Sequence, residues 1–343
     1  MHSAVTPISI LRTHATTLMG TLPRLHDGQV EAVHGARVTS RRIREVLPLT
    51  DGWHRKDVVD DLKNGFRRIG RGLGRVRDAD ARLALLASLE TRIPAAVPSL
   101  VVLRRQCERG RLRLMRKLIK RFERLEVPRV LGDVAAGRTR ASRPWTSIAA
   151  RWPGQLHRTV TERARATRES VHDATGVYFP NRIHGTRIAV KKLRYAVEIA
   201  GATRVGPAVE DVLRYLKNTQ DVLGDLHDRQ VLIDDLSAKA APLLAEIDPD
   251  HIKLVIQIVE AECRELHARY LTRRTRVLAI CHELESAYAE RGLSIAPVAA
   301  ALAISSAFYL WSRARVPEPE RAPSRDPQVA VRIPIPGAAV VGR

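Results

Sequence analysis

Apolar residues recur every three or four positions along most of the chain, and the two-residue alternation of a half-buried strand is scarce. This periodicity predicts an all-α fold. In the first part of the chain it places helices over 5–24, 28–47, 54–70, 75–92 and 98–126, with the breaks at Gly and Pro. Asp27 is positioned to cap the second of these. The stretch 128–153 is rich in Gly, Ala, Ser, Arg and Pro and predicts a linker. A second helical set follows, closing with one long helix over 249–290. Residues 292–312 carry no charge and have about the length of a bilayer span, but Pro297, Ser305, Ser306 and many alanines make membrane insertion marginal. The Pro-rich end, 316–343, has the composition of a disordered tail.

An internal repeat organises these elements. His34, Arg37, Arg41, Arg42 and Arg44 match His184, Arg187, Lys191, Lys192 and Arg194 at a constant offset of 150, and the same offset superimposes Leu73-Gly74 on Leu223-Gly224 and Asp78 on Asp228. Two copies of one helical unit are expected, about 5–127 and 154–290.

On a helix turning about 100° per residue, His34, Arg37, Arg41 and Arg44 share one side, while Ala36, Ile43, Val46 and Leu47 occupy the other. The second copy repeats this, with His184, Arg187, Lys191 and Arg194 opposed by Leu193, Val197 and Ala200. Such a row rises about 15 Å, which suits a linear anion better than a single phosphate. A third row, Arg105, Arg109, Arg113, Arg116, Lys120 and Arg124, opposes Leu114, Leu118, Phe122 and Leu125. Arg67, Arg71 and Arg75 form a fourth; in the second copy Lys217 keeps its charge, while Asp221 and Asp225 replace the other two and are expected to hold basic side chains.

Charge supports a polyanionic partner. The chain has 58 Lys and Arg against 37 Asp and Glu, a formal net charge of +21, which repels itself unless an anion neutralises it. Like charges at i, i+4 spacing repel, and an ordinary surface mixes signs to relieve this. Arginine forks give bidentate bonds to phosphate oxygens. At 4% aromatic residues, platforms for stacking unpaired bases are few, although contact with a nucleic-acid backbone stays open. Cys107, Cys263 and Cys281 show neither disulfide nor zinc spacing, which fits a cytoplasmic location. No metal site is expected at His34 or His184, since the surrounding cations repel one. With no phosphate loop, nucleophile elbow or metalloprotease motif, neither an enzymatic activity nor a cofactor is expected.

The segments HGARVTSRRIREVL and HGTRIAVKKLRYAVEIA, with GLGRVRDAD and LKNTQDVLGDLHD downstream, resemble the repeated signatures of the CHAD family, the conserved histidine alpha-helical domain. The resemblance covers roughly residues 5–290, leaving an apolar segment at 291–315 outside it. It implies two four-helix bundles related by a pseudo-two-fold, around a basic central cavity that binds inorganic polyphosphate. By matching motifs, His34, Arg37, Arg41, Arg42, Arg44, His184, Arg187, Lys191, Lys192 and Arg194 inherit that binding role. Arg67, Arg71, Arg75, Arg109, Arg113, Arg116, Lys120 and Lys217 are expected as secondary contacts. Association with polyphosphate or polyhydroxyalkanoate granules is also implied. A DNA- or RNA-backbone binder, or an anchored structural protein, is the alternative.

Overall fold

A computed structural model describes residues 5–50, 56–136, 151–174, 176–202, 207–239 and 247–289. Among these no strand occurs, and nine α-helices carry the fold: α1 (Pro7–His26), α2 (Val30–Val46), α3 (Lys56–Arg92), α4 (Val97–Arg124), α5 (Val127–Ala136), α6 (Trp152–Asp173), α7 (Pro180–Gly201), α8 (Pro207–Lys239) and α9 (Pro249–Ala289). The all-helical reading is correct. The apolar segment 292–312 and the Pro-rich tail lie outside the described residues. Among the described residues no single helix is long and apolar enough to cross a membrane.

Each half packs mainly on itself. In the first, α1 packs on α2, α2 on α3 and α3 on α4; in the second, α6 packs on α7, α7 on α8, α8 on α9, and α9 returns to α6. The first ring closes differently, because α5 takes the place against α1. Val127, Leu131 and Val134, spaced four and three apart, bury one face of α5, so the expected linker opens as a packed helix. The offset of 150 extends to solvent exposure: positions 61–77 and 211–227 run through the same order of buried, half-buried and exposed residues.

Two boundaries differ from the pattern-based expectation. Asp27 does not cap α2; it ends α1, and Gly28 at φ 75° makes the left-handed turn into α2. The helices expected over 54–70 and 75–92 are one helix, α3. Glycines inside a helix cost about 1 kcal/mol each relative to alanine, and here close packing offsets that cost. A Cβ at Gly72 would stand 2.7 Å from Leu118 Cδ1 of α4, and one at Gly70 would stand 3.3 Å from Arg44 Nη1 of α2. The glycines leave bare backbone across which side chains of α2 and α4 lie.

Contacts between the halves run through α2 against α7 and α3 against α8. Arg42 on α2 bonds Glu198 on α7, Arg82 on α3 pairs with Asp235 on α8, and Arg92 on α3 pairs with Glu262 on α9. The two helices that carry the repeated basic motif therefore face one another.

Candidate functional site

The apolar faces of α2 and α7 are buried as the periodicity requires: Ala36, Ile43, Val46 and Leu47 in one, Leu193, Val197 and Ala200 in the other. Their cationic faces turn to the junction. Arg37, Arg41 and Arg44 on α2 meet Arg187 and Lys191 on α7 closely enough that Arg37 and Arg187 disfavour the charge of Arg41, and all four arginines that of Lys191. Burial comes first and these neighbours second in pushing the Lys191 ammonium down to about 7; the cations it feels are Arg41, Arg187, Arg37 and Arg44. Arg41 is lowered to about 10 by burial and by Arg37, despite donating to the Tyr195 hydroxyl. The arrangement gathers cations from both halves in one place.

Each half supplies one anchoring carboxylate. Arg37 donates to the Gly74 carbonyl and to Asp78 Oδ1, both at 2.8 Å, so its guanidinium is fixed against α3. Asp228, at the equivalent place on α8, favours the charge of Arg187, as Asp78 does to a lesser degree; the pKa of Arg187 is lowered chiefly by burial. Burial raises the Asp228 carboxyl, and Arg187 and Arg77 partly offset this.

The histidines sit at the edge of the cluster. His184 Nδ1 lies 3.3 Å from His227 Nδ1, with ring centroids 4.6 Å apart. Burial lowers both pKa values, His227 to about 4, and Arg187 adds to each effect. His34 is lowered by burial and then by Arg77, Arg37 and Arg41. At neutral pH these rings are uncharged and carry one N–H each; within the His184–His227 pair one of these is spent on the other ring, leaving one N–H from the pair and one from His34. Among the described residues no group of three or more metal-ligating side chains converges.

The junction does not use every residue expected of it. Arg42 and Arg194 both turn to Glu198, a buried carboxylate, with Arg194 Nη1 at 3.5 Å. Arg194 also donates to Gln220 Oε1 at 3.1 Å and stacks on the Tyr195 ring. Arg42 therefore ties α2 to α7 across the halves, while Arg194, bonded to Glu198 of its own helix and to Gln220 of α8, is held within the second half. Lys192 is half-buried beside them and forms no ion pair with another described residue. Arg67, Arg71 and Arg75 are exposed along α3. Lys217 pairs with Asp221 at 2.9 Å, so that carboxylate does hold a basic side chain. Arg109, Arg113, Arg116 and Lys120 are exposed on α4, which packs on α3 and α5 and has no substantial packing with α2 or α7. The secondary contacts expected on α4 thus lie outside the central cluster.

Two residues that the sequence reading passed over belong to it. Arg77 bears on His34, Arg187 and Asp228, and His227 pairs with His184. They are one another's counterparts at the offset of 150, a signal visible only once Asp78 and Asp228 are seen to face the basic rows.

Fold and junction together define an all-helical module whose two halves meet across a cationic seam. A family description for the CHAD domain matches residues 9–237, more than half of the chain, and the protein belongs to that family. No functionally curated protein matches the sequence. Among solved structures, the chain is similar to the CHAD domain from the plant Ricinus communis, with 21% identity, a TM-score of 0.54, and coverage of 82% of this chain and 93% of that one. PptA from Streptomyces chartreusis aligns at 17% identity and a TM-score of 0.49, covering 84% of this chain and all of that one (100%).

Proposed function

We propose that the protein binds inorganic polyphosphate, without catalysis, along the seam between α2 and α7. One observation carries this reading: Arg41, Arg44, Arg187 and Lys191 converge from both halves, and burial together with these cations holds Lys191 down at about 7. A buried cation cluster is costly unless an anion completes it. A chain of phosphates supplies evenly spaced charge to both rows at once, and family membership points to the same ligand. Fixed arginines such as Arg37 contribute bidentate bonds, Lys191 a charge that grows on binding, and the neutral histidines single hydrogen bonds.

Competition between long-chain polyphosphate and duplex DNA at matched salt tests the reading. Polyphosphate is expected to displace DNA at far lower phosphate concentration, with affinity falling steeply as salt rises. Preference for DNA would move the assignment to a nucleic-acid backbone.

A further inference from the structure

α4 carries a second cationic surface that the junction does not use. Arg105, Arg109, Arg113, Arg116, Lys120 and Arg124 are all exposed on it, and none forms an ion pair with another described residue. They lie within about 100° of arc and extend over about 28 Å of helix. The fold does not impose this. The corresponding helix of the second half, α9, mixes signs, with Arg276 paired to Glu283 and Glu262 holding Arg229.

One large apolar side chain borders this surface. Leu112, midway along the row, is 53% exposed. Its neighbour Arg111 donates to the Gly28 carbonyl at 2.7 Å and pairs with Asp80, which ties the α1–α2 turn to this part of α4. Two residues beyond Gly28, Val30 is 45% exposed. Leu112 is one of the four large apolar side chains exposed among the described residues; Arg111 leaves α4 on the side away from the row, so Val30 belongs to another face. A polyanion in water gives no reason for an apolar side chain beside its cations.

We propose that this face docks on an anionic phospholipid surface. The arginines and Lys120 meet lipid phosphates, while Leu112 enters the layer below the head groups. A single straight row on a convex helix touches a plane along its length, whereas the central junction encloses a strand from two sides. Several cations acting together near a negatively charged leaflet, with a small inserted apolar contact, are sufficient for reversible attachment.

The test uses the full-length protein and vesicles of phosphatidylcholine with and without phosphatidylglycerol. Co-sedimentation is expected only with the anionic vesicles, and the combined change Arg109→Gln, Arg116→Gln and Lys120→Gln is expected to lower it about tenfold or more. Leu112→Ser is expected to weaken vesicle binding severalfold while long-chain polyphosphate binds as before, since Leu112 takes no part in the seam between α2 and α7. Leu112→Trp adds a fluorescence signal, to be read as the difference from wild type, that should shift to the blue on anionic vesicles. Equal binding to neutral vesicles, an unshifted tryptophan signal, or undiminished binding by the triple variant would overturn the proposal. So would a triple variant that loses duplex DNA but keeps its vesicles.

Discussion

Arg44 and Arg194 occupy equivalent places in the two halves and meet different fates. Arg44 lies over the bare backbone of Gly70 and forms no ion pair with another described residue; it is among the cations that Lys191 feels. In the second half the position of Gly70 is taken by Gln220, whose Oε1 accepts from Arg194 at 3.1 Å, and Glu198 receives the same guanidinium. One half lends its last arginine to the seam, and the other holds it between its own α7 and α8. The repeat therefore fixes where cations stand without fixing which of them remain free; that depends on the single residue facing each one. The outer faces diverge likewise: Arg71 and Arg75 on α3 answer to Asp221 and Asp225 on α8.

The largest expected effect tests whether the halves act as one site. Arg37→Ala with Arg41→Ala, or separately Arg187→Ala with Lys191→Ala, should each weaken long-chain polyphosphate by about 100-fold or more, given about 1.5–3 kcal/mol per charged hydrogen bond. A short oligophosphate that reaches one row should lose much less, because a polymer held by one row presents its next phosphates to the other. Calorimetry with both ligands decides it, and equal losses for short and long chains would mean two independent patches.

Next in size is the contrast between the paired arginines. Arg44→Ala should weaken polyphosphate about tenfold, and Arg194→Ala about threefold or less. Urea unfolding should reverse the order, since removing Arg194 from the buried Glu198 costs about 2 kcal/mol while Arg44→Ala costs little. Comparable binding losses would erase the distinction between a free cation and a clamped one.

A pH series sharpens the account of Lys191. Its ligand-free pKa is depressed to about 7, and bound phosphate raises it again. Protonated Lys191 is present below that value, so affinity should be greatest near pH 6 and fall by at most about tenfold per pH unit as pH rises toward the bound-state pKa. Calorimetry near pH 7.5 in buffers of different ionisation enthalpy should register proton uptake. The sign for stability is opposite: a lysine depressed in the folded state favours folding more as pH rises from about 7 toward its ordinary value. Lys191→Met should accordingly raise the melting temperature of the free protein while weakening binding. A lowered melting temperature at unchanged affinity would refute the buried, repelled lysine.

The smallest effect compares two glycines. Gly72→Ala places a Cβ 2.7 Å from Leu118 Cδ1 and should destabilise by about 1 kcal/mol or more, whereas a Cβ at Gly224 meets nothing within 4 Å. Gly224→Ala should therefore stabilise by up to about 1 kcal/mol through helix propensity alone. Thermal melts of both variants measure the difference.

Local pattern determined the helical class, the repeat at an offset of 150, and the faces of α2 and α7, because helical periodicity and charge spacing are properties of neighbouring residues. The buried Ile43 and Leu193 stand where that pattern put them. Tertiary structure alone decided the rest. Whether α3 breaks at Gly70–Gly74 depended on Arg44, Leu118 and Arg37 coming to lie against its backbone. The recruitment of Arg77 and His227, the capture of Arg42 by Glu198 more than a hundred residues away, and the outward turn of the α4 row likewise depend on contacts between distant elements. A cation's availability is set by the carboxylate or carbonyl opposite it, and that partner is chosen when the helices pack.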